Sequence, residues 1–330
     1  MNVILAAAAC TGTLFVAGIV VALVLVASPP PPMPPPKDVF DFSSLRAPAS
    51  EIPPPSLRRY AARDGEQLAY RIYDSTADRI LIFVHGSSYH GAGYHGLAAA
   101  LSLGGVAKVV LPNLRGHYMS GRRRGDVEYI GQLEDDIADL IGDLRGQRLR
   151  GPITLGGHSS GGGFAIRFAG GSHAVLVSSY LLLAPAIPTS DAMRQGSGGG
   201  WASLNFRRLY GLIALNAIGI HGFDGLHVIE FNKPAKFWDG TETLSYSYRL
   251  NVSYHPRFRF KQDLHALGPT LVMIGANDEA IDPQALKAIF ATAAPKTQFT
   301  TVPDTDHFGI FNTPALWEPI AAFLRAQSGV

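Results

Sequence analysis

The sequence predicts an α/β domain on a mostly parallel central sheet, with helices on both faces, a lid insertion, and a transmembrane helix in front. Three observations carry this expectation. Short apolar runs of strand length alternate with stretches of helical spacing, the pattern a parallel sheet requires. One such run, Ile153-Thr154-Leu155, ends in a glycine-flanked serine, Gly157-His158-Ser159-Ser160-Gly161, and leads into the helix-like Gly162 to Ala169. Finally, Val3 to Ala27 carries no charged residue.

In chain order, residues 1–28 read as a transmembrane anchor or a signal peptide. A span needs about 20 apolar residues, and this run is long enough. A cleaved signal usually has a charged start and a shorter apolar core, so an uncleaved single-pass anchor is preferred. Residues 29–56 read as a proline-rich linker, with Pro29 to Pro36, broken only by Met33, as a stiff extended spacer. Lys37, Arg46, Arg58 and Arg59 follow the apolar run and no Lys or Arg precedes it, which leans the folded domain toward the cytoplasmic side, with export as the alternative.

Residues 57–330 read as the α/β domain. Leu68 to Tyr73 is expected as an early antiparallel strand, and Ile80 to Val84 and Val106 to Leu111 as the next strands. Gln132 to Leu144 has apolar residues at helical spacing, Ala174 to Leu183 reads as the strand after the elbow helix, and Pro314 to Gln327 as the last helix. Between about 186 and 263 the alternation fails. That insertion, with the glycine run 196–200, the apolar Leu209 to Ile220 and several aromatic residues, is expected to form a lid over the serine.

A serine between two glycines at a strand-to-helix junction is the nucleophile elbow, which lifts the hydroxyl clear of the sheet. Serine is a weak nucleophile at neutral pH and needs a base, which in turn needs an orienting acid. In this arrangement the acid and then the histidine follow the serine along the chain. Of the eleven histidines only His307 lies beyond residue 265, after the strand-like Gln298 to Val302. The acid should end the strand before it, where Thr270 to Ile274 runs into Gly275-Ala276-Asn277-Asp278. Asp278 is the first choice and Asp282 the second, with Asp304 and Asp306 read as loop or capping residues. Two backbone N–H groups should stabilise the oxyanion. Ser160 follows the nucleophile, and Ser87 lies in His85-Gly86-Ser87-Ser88 after an earlier strand, with Ser88 as the alternative.

These motifs, together with Arg115-Gly116-His117, resemble those of the α/β-hydrolase fold family, in its lysophospholipase, monoacylglycerol lipase and serine aminopeptidase-like group. The resemblance covers roughly residues 57–330. The group usually has an aspartate two positions before the arginine, and a glycine and then a serine after the histidine; here those places hold Asn113 and Tyr118, with Ser120 retained. It implies a serine hydrolase that cleaves carboxylic esters, lipid-derived or otherwise apolar, through a Ser159–His307–Asp278 triad and an acyl-enzyme. The alternatives are an aminopeptidase, which would need a lid carboxylate such as Glu230, Asp239 or Glu242 for the substrate ammonium, and an acyltransferase. No cofactor or metal is expected.

The composition agrees. A net charge of +2 gives no global attraction to nucleic acid, and a single cysteine excludes an internal disulfide framework. Arg122-Arg123-Arg124 reads as a solvated loop, or more sharply as a contact for anionic lipid heads. The expected partners are therefore a lipid or small-molecule ester and, through the N-terminal helix, a membrane.

Overall fold

Eight strands form the central sheet, in the order β1-β2-β4-β3-β5-β6-β10-β11. In chain order these are β1 (Arg58–Ala61), β2 (Gln67–Tyr73), β3 (Ile80–Val84), β4 (Lys108–Pro112), β5 (Ile153–His158), β6 (Ser179–Leu183), β10 (Thr270–Gly275) and β11 (Gln298–Val302). The computed structural model describes residues 2–32, 39–42, 52–194 and 200–327, without the side chains of 2–10 and 12. The strand pairs β1–β2 and β2–β4 are antiparallel, and every other pair is parallel. Each residue of β3, β5, β6 and β10 is buried, as expected for parallel strands covered on both faces.

The order reverses between β3 and β5, since β4 lies on one side of β3 and β5 on the other. Such a switch point opens a crevice at the carboxyl ends of the strands. Val84 pairs with Gly157, so the loops after these two strands leave the sheet side by side. That register brings the Ser87 loop to the Ser159 turn.

Three segments differ from the sequence expectation. The strand expected from Ala174 begins at Ser179, because pairing with β5 starts there (Thr154 with Ser179). Ala174–Leu176 is instead a short 3-10 turn, and its Val175 is 90% exposed. Pro314–Leu316 is likewise a 3-10 turn in front of the last helix, Trp317–Ala326. Between β6 and β10, the chain builds an unanticipated three-stranded antiparallel sheet of β7 (Ala202–Leu204), β8 (His227–Phe231) and β9 (Ser245–Ser247). Helices Phe206–Asn216 and Tyr248–Tyr254 complete this layer, while Phe260–His265 packs on Ser160–Ala169 of the main domain. Of the glycine run in this insertion, 196–199 lie outside the described residues.

The transmembrane expectation for the N-terminal segment finds no support. Asn2–Val26 is helical, but among the described residues no helix is long and apolar enough to cross a membrane. Its last turns do not stand off from the domain on a spacer; they pack directly on the lid helix Phe206–Asn216. Ala22 and Val26 are buried there, and a Cβ on Gly211 would come within 2.7 Å of the Ala22 carbonyl oxygen. Arg208 Nε donates to the Val26 carbonyl at 3.1 Å, and Arg208 Nη2 donates to that of Ser28 at 2.8 Å. These bonds satisfy carbonyls that a helix end leaves without partners. Of the proline block, 33–36 lie outside the described residues, as do Lys37 and Arg46.

Candidate active site

Ser159 sits between β5 and the helix Ser160–Ala169 with φ 53° and ψ −121°, a left-handed backbone that a non-glycine residue rarely adopts. The flanking glycines are required by contact. A Cβ on Gly157 would fall 2.3 Å from the Gly161 carbonyl carbon, and one on Gly161 would fall 2.3 Å from the Val84 carbonyl oxygen. Ser160 opens the following helix, so its N–H belongs to the first turn, whose amides have no intrahelical acceptor and carry the positive end of the helix dipole.

Asp278 lies on the turn after β10 and is buried. Its Oδ1 accepts from the N–H groups of Ala280 and Ile281 at 2.9 and 2.8 Å. Its Oδ2 lies 2.7 Å from His307 Nδ1, which therefore donates to it. Asp282, the second choice, caps the helix Pro283–Ala293 by accepting from Gln284 and Ala285 N–H, and has no part in this pair. Asp306 accepts from Gly309 N–H, and Asp304 is an exposed turn residue at φ 49°. Burial pushes the His307 pKa down, but the charge and hydrogen bond of Asp278, helped by Glu279 and Asp306, outweigh it and leave the imidazole above 6.5. Glu279 Oε2 also accepts from the His307 backbone N–H at 3.0 Å.

Ser159 and His307 line the same cavity, together with Gly86, Ser87 and Ser88. The Ser159 hydroxyl has no hydrogen-bond partner among the described residues, and a ring from the N-terminal segment, Phe40, is stacked on His307. Of the two oxyanion candidates after β3, Ser88 is excluded, because its N–H already donates to the Tyr246 hydroxyl at 2.7 Å. The Ser87 and Ser160 hydroxyls lie 2.6 Å apart, tying together the two residues whose amides the sequence singled out. Ser160 Oγ also lies 3.3 Å from His255 Nε2. His255 Nδ1 donates to the Asn251 carbonyl, and burial lowers its pKa to about 4, so the ring is neutral and Nε2 accepts. His255 belongs to the lid, where nothing in the sequence distinguished it from other lid histidines.

His85, His117 and His158 form the frame of the site. Gly86 N–H donates to the Tyr94 hydroxyl at 2.9 Å, and that hydroxyl lies 3.0 Å from His158 Nδ1. His158 Nε2 donates to the His307 carbonyl at 2.9 Å, so Nδ1 accepts from Tyr94. Burial and the neighbouring His307 hold His158 well below its ordinary pKa, which fixes this neutral tautomer. His85 Nε2 accepts from Leu114 N–H, and His117 Nε2 lies 2.8 Å from the Tyr246 hydroxyl. Asn113, where the group has an aspartate, accepts from Gly91 N–H and donates to the Tyr118 carbonyl, bracing the same loop. Among the described residues no cluster of His, Cys, Asp and Glu could hold a metal ion.

The lid carboxylates lie elsewhere. Glu242 pairs with Lys233 at 2.6 Å, Asp239 accepts from Thr241, and neither they nor Glu230 line the cavities at Ser159. The arginine run is also paired: Arg122 with Glu66 at 2.6 Å, Arg123 with Asp126 at 3.5 Å, and Arg124 with the Glu242 carbonyl at 2.8 Å.

A strained serine at the switch point of a parallel sheet, beside a buried Asp–His pair, defines a class of hydrolytic enzymes, and the comparisons agree. Residues 81–319 match the model of the alpha/beta hydrolase family, and the chain belongs to that family. Uncharacterized proteins of Mycobacterium tuberculosis and Mycobacterium bovis are 30% identical over 122 residues, a match covering 37% of this chain and 33% of theirs. The chain thus matches about a third of the length of these curated relatives. Among solved structures, a soluble variant of monoglyceride lipase from Saccharomyces cerevisiae superposes with a TM-score of 0.64 at 16% identity, covering 90% of this chain and 100% of that one. The monoacylglycerol lipase of Paleococcus ferrophilus gives 0.62 at 19% identity, covering 79% and 99%. A thermophilic esterase from Thermogutta terrifontis gives 0.57 at 21%, covering 83% and 99%. At these identities the superpositions speak for the fold.

Proposed function

We propose that this chain is a serine hydrolase of carboxylic esters with an apolar acyl group. The observation that carries the reading is the 2.7 Å Asp278–His307 pair in one cavity with Ser159 on its strained turn. Ser159 Oγ attacks the ester carbonyl while His307 Nε2 takes its proton. The oxyanion is held by the N–H groups of Ser87 and Ser160, each contributing about 3 kcal/mol. Collapse of the tetrahedral intermediate breaks the bond to the alcohol oxygen, which leaves with the proton from His307. Water then adds to the acyl-enzyme, its proton passing to His307 and on to Ser159 as the acid departs. Asp278 holds the Nδ1–H tautomer and stabilises the transient imidazolium. An apolar acyl group is supported by a cavity of about 320 Å³ that adjoins Ser159 and is walled by residues such as Met193, Leu204, Ile229, Phe231 and Ile281.

The aminopeptidase reading has less support. Among the described residues no carboxylate lines the cavities at Ser159, whereas Lys233 and Arg194 do, and a substrate ammonium would meet positive charge. Transfer of the acyl group to an alcohol uses the same first half-reaction and is distinguished by product analysis. Attachment of the full chain to a membrane through residues 1–28 remains a separate proposal. It is supported by the uncharged composition and by exposed Leu14, Phe15, Val16, Val20 and Val24; recovery of the whole chain in the aqueous phase on detergent partition would overturn it.

The test compares ethyl esters of increasing acyl length with aminoacyl p-nitroanilides, using Ser159→Ala as control. Ester cleavage that falls at least about a thousandfold in Ser159→Ala supports the reading. Preferential nitroanilide cleavage would move the chain to the peptidases.

A further inference from the structure

We propose that Phe40 and Phe42, upstream of the central sheet, are part of the substrate site and limit which alcohol can leave, so that esters of small alcohols are preferred to those of bulky ones. This rests on the hydrolase reading of Ser159 and His307.

Both side chains are 3% exposed although the segment that carries them precedes the first strand. The Phe40 ring is stacked on the His307 imidazole, with centroids 5.0 Å apart and planes 19° apart. Phe40 also meets Trp201 at 5.3 Å and Phe308 at 5.0 Å. Phe42 lies behind it, 5.5 Å from each of Trp201, Phe237 and Phe308. Ring pairs at these separations are favourable beyond the area they bury. The segment therefore has a defined seat on the catalytic histidine.

Two cavities adjoin Ser159, and Phe40 borders both. His307 lines only the smaller one. A general acid must come within about 3 Å of the oxygen it protonates, so the leaving alcohol belongs on the His307 side. That side retains about 40 Å³, room for no more than a few waters. The other cavity, of about 320 Å³, takes the acyl chain. Phe40 and Phe42 fill the space into which a larger alcohol would extend, and Lys233, ion-paired with Glu242, borders what is left. Chain from the N-terminal segment thus sets a selectivity that the elbow, the oxyanion loop and the lid leave open.

The experiment uses the full chain and butanoate esters of methanol, ethanol, 1-butanol and benzyl alcohol, followed by acid release in a pH-stat. Wild type is expected to favour the methyl and ethyl esters. Phe40→Ala is expected to shift the ratio of kcat/KM for the benzyl over the ethyl ester upward by about tenfold or more, since the lost ring exceeds the single methylene that is worth about that much in an apolar pocket. Phe42→Ala should shift it in the same direction by less. Phe40→Leu keeps an apolar side chain in the seat and decides the matter on the same ratio if a thermal melt shows Phe40→Ala unfolded. A wild type that prefers the benzyl ester, or variants in which all four esters change in parallel, would overturn the inference while the loss of turnover in Ser159→Ala upheld the hydrolase reading. Turnover that survives in Ser159→Ala, or no turnover of any ester by wild type, would overturn both.

Discussion

His307 is held between opposing influences, and its titration reports which prevails. Burial favours the neutral ring, while Asp278, then Glu279 and Asp306, favour the cation and prevail. A base must be neutral to act, so the acidic limb of kcat/KM should fall above pH 6.5. Asp278→Asn removes the largest raising influence: the limb should move to lower pH, and kcat should fall by about a thousandfold or more as the tautomer is lost. A pH–rate profile of both proteins checks the two together, and an unmoved limb would remove Asp278 from its role. Gly157→Ala tests the turn instead. Its Cβ would collide with Gly161 backbone, so a loss of both soluble protein and activity is expected. The sequence singles out Ser159, Asp278 and His307 as candidates because each is restricted by position: a glycine-flanked turn, the end of an apolar strand, a late histidine. His255 and Phe40 carry no such mark. Their contacts join residues 95 and 267 positions apart, to Ser160 and His307, and no local pattern encodes that.

At the scale of elements, the strands that form the floor of the site are legible because parallel strands buried on both faces must be uninterrupted apolar runs. Ile80–Val84 and Thr270–Gly275 agree with the runs in the sequence to within a residue, and the mostly exposed edge strand Gln298–Val302 agrees without that burial. The lid sheet is not legible. β7 and β9 have three residues each, too few for an alternation to show, and their stability comes from pairing with β8. A helix that packs on a lid and one that lies in lipid share an uncharged composition, so the sequence of the N-terminal helix does not separate the two. That packing depends on Gly211. Gly211→Val would drive the two helices apart at the Ala22 carbonyl, and a loss of about 1–3 kcal/mol is expected, read as a lower melting temperature in the full chain. In a chain that begins at residue 52 the same substitution should cost nothing measurable, since its partner is gone.

Across the whole molecule, five histidines besides His307 are held neutral, four of them buried and His255 half-buried. Burial lowers His85 and His255 to about 4 and His90 to about 3, and holds His117 and His158 well below the ordinary value. In the unfolded chain each would titrate near 6.5, so between that value and about 4 the unfolded state binds more protons. Their contribution is fully present above pH 6.5 and is lost as the pH falls toward the folded values, on the order of 3 kcal/mol each for His85 and His255. His307, shifted upward, works in the opposite direction, as do the raised carboxyls of Asp136, Glu134 and Glu279 at lower pH, but the five lowered histidines outnumber them. The urea midpoint should therefore be nearly flat above pH 7 and fall steeply below 6.5. A midpoint constant down to pH 5 would mean that these rings are not buried neutral.

The run of bonds from Gly86 through Tyr94 and His158 to the His307 carbonyl has an evolutionary corollary. It welds two loops that lie more than two hundred residues apart in the chain into one mechanical part, with the proton direction fixed along its length. Such a part is not modular. A loop graft that imports a new oxyanion segment without Tyr94 and His158 would leave the far loop unsupported. Laboratory recombination should therefore recover active chimeras chiefly when both ends of the chain of bonds come from the same parent.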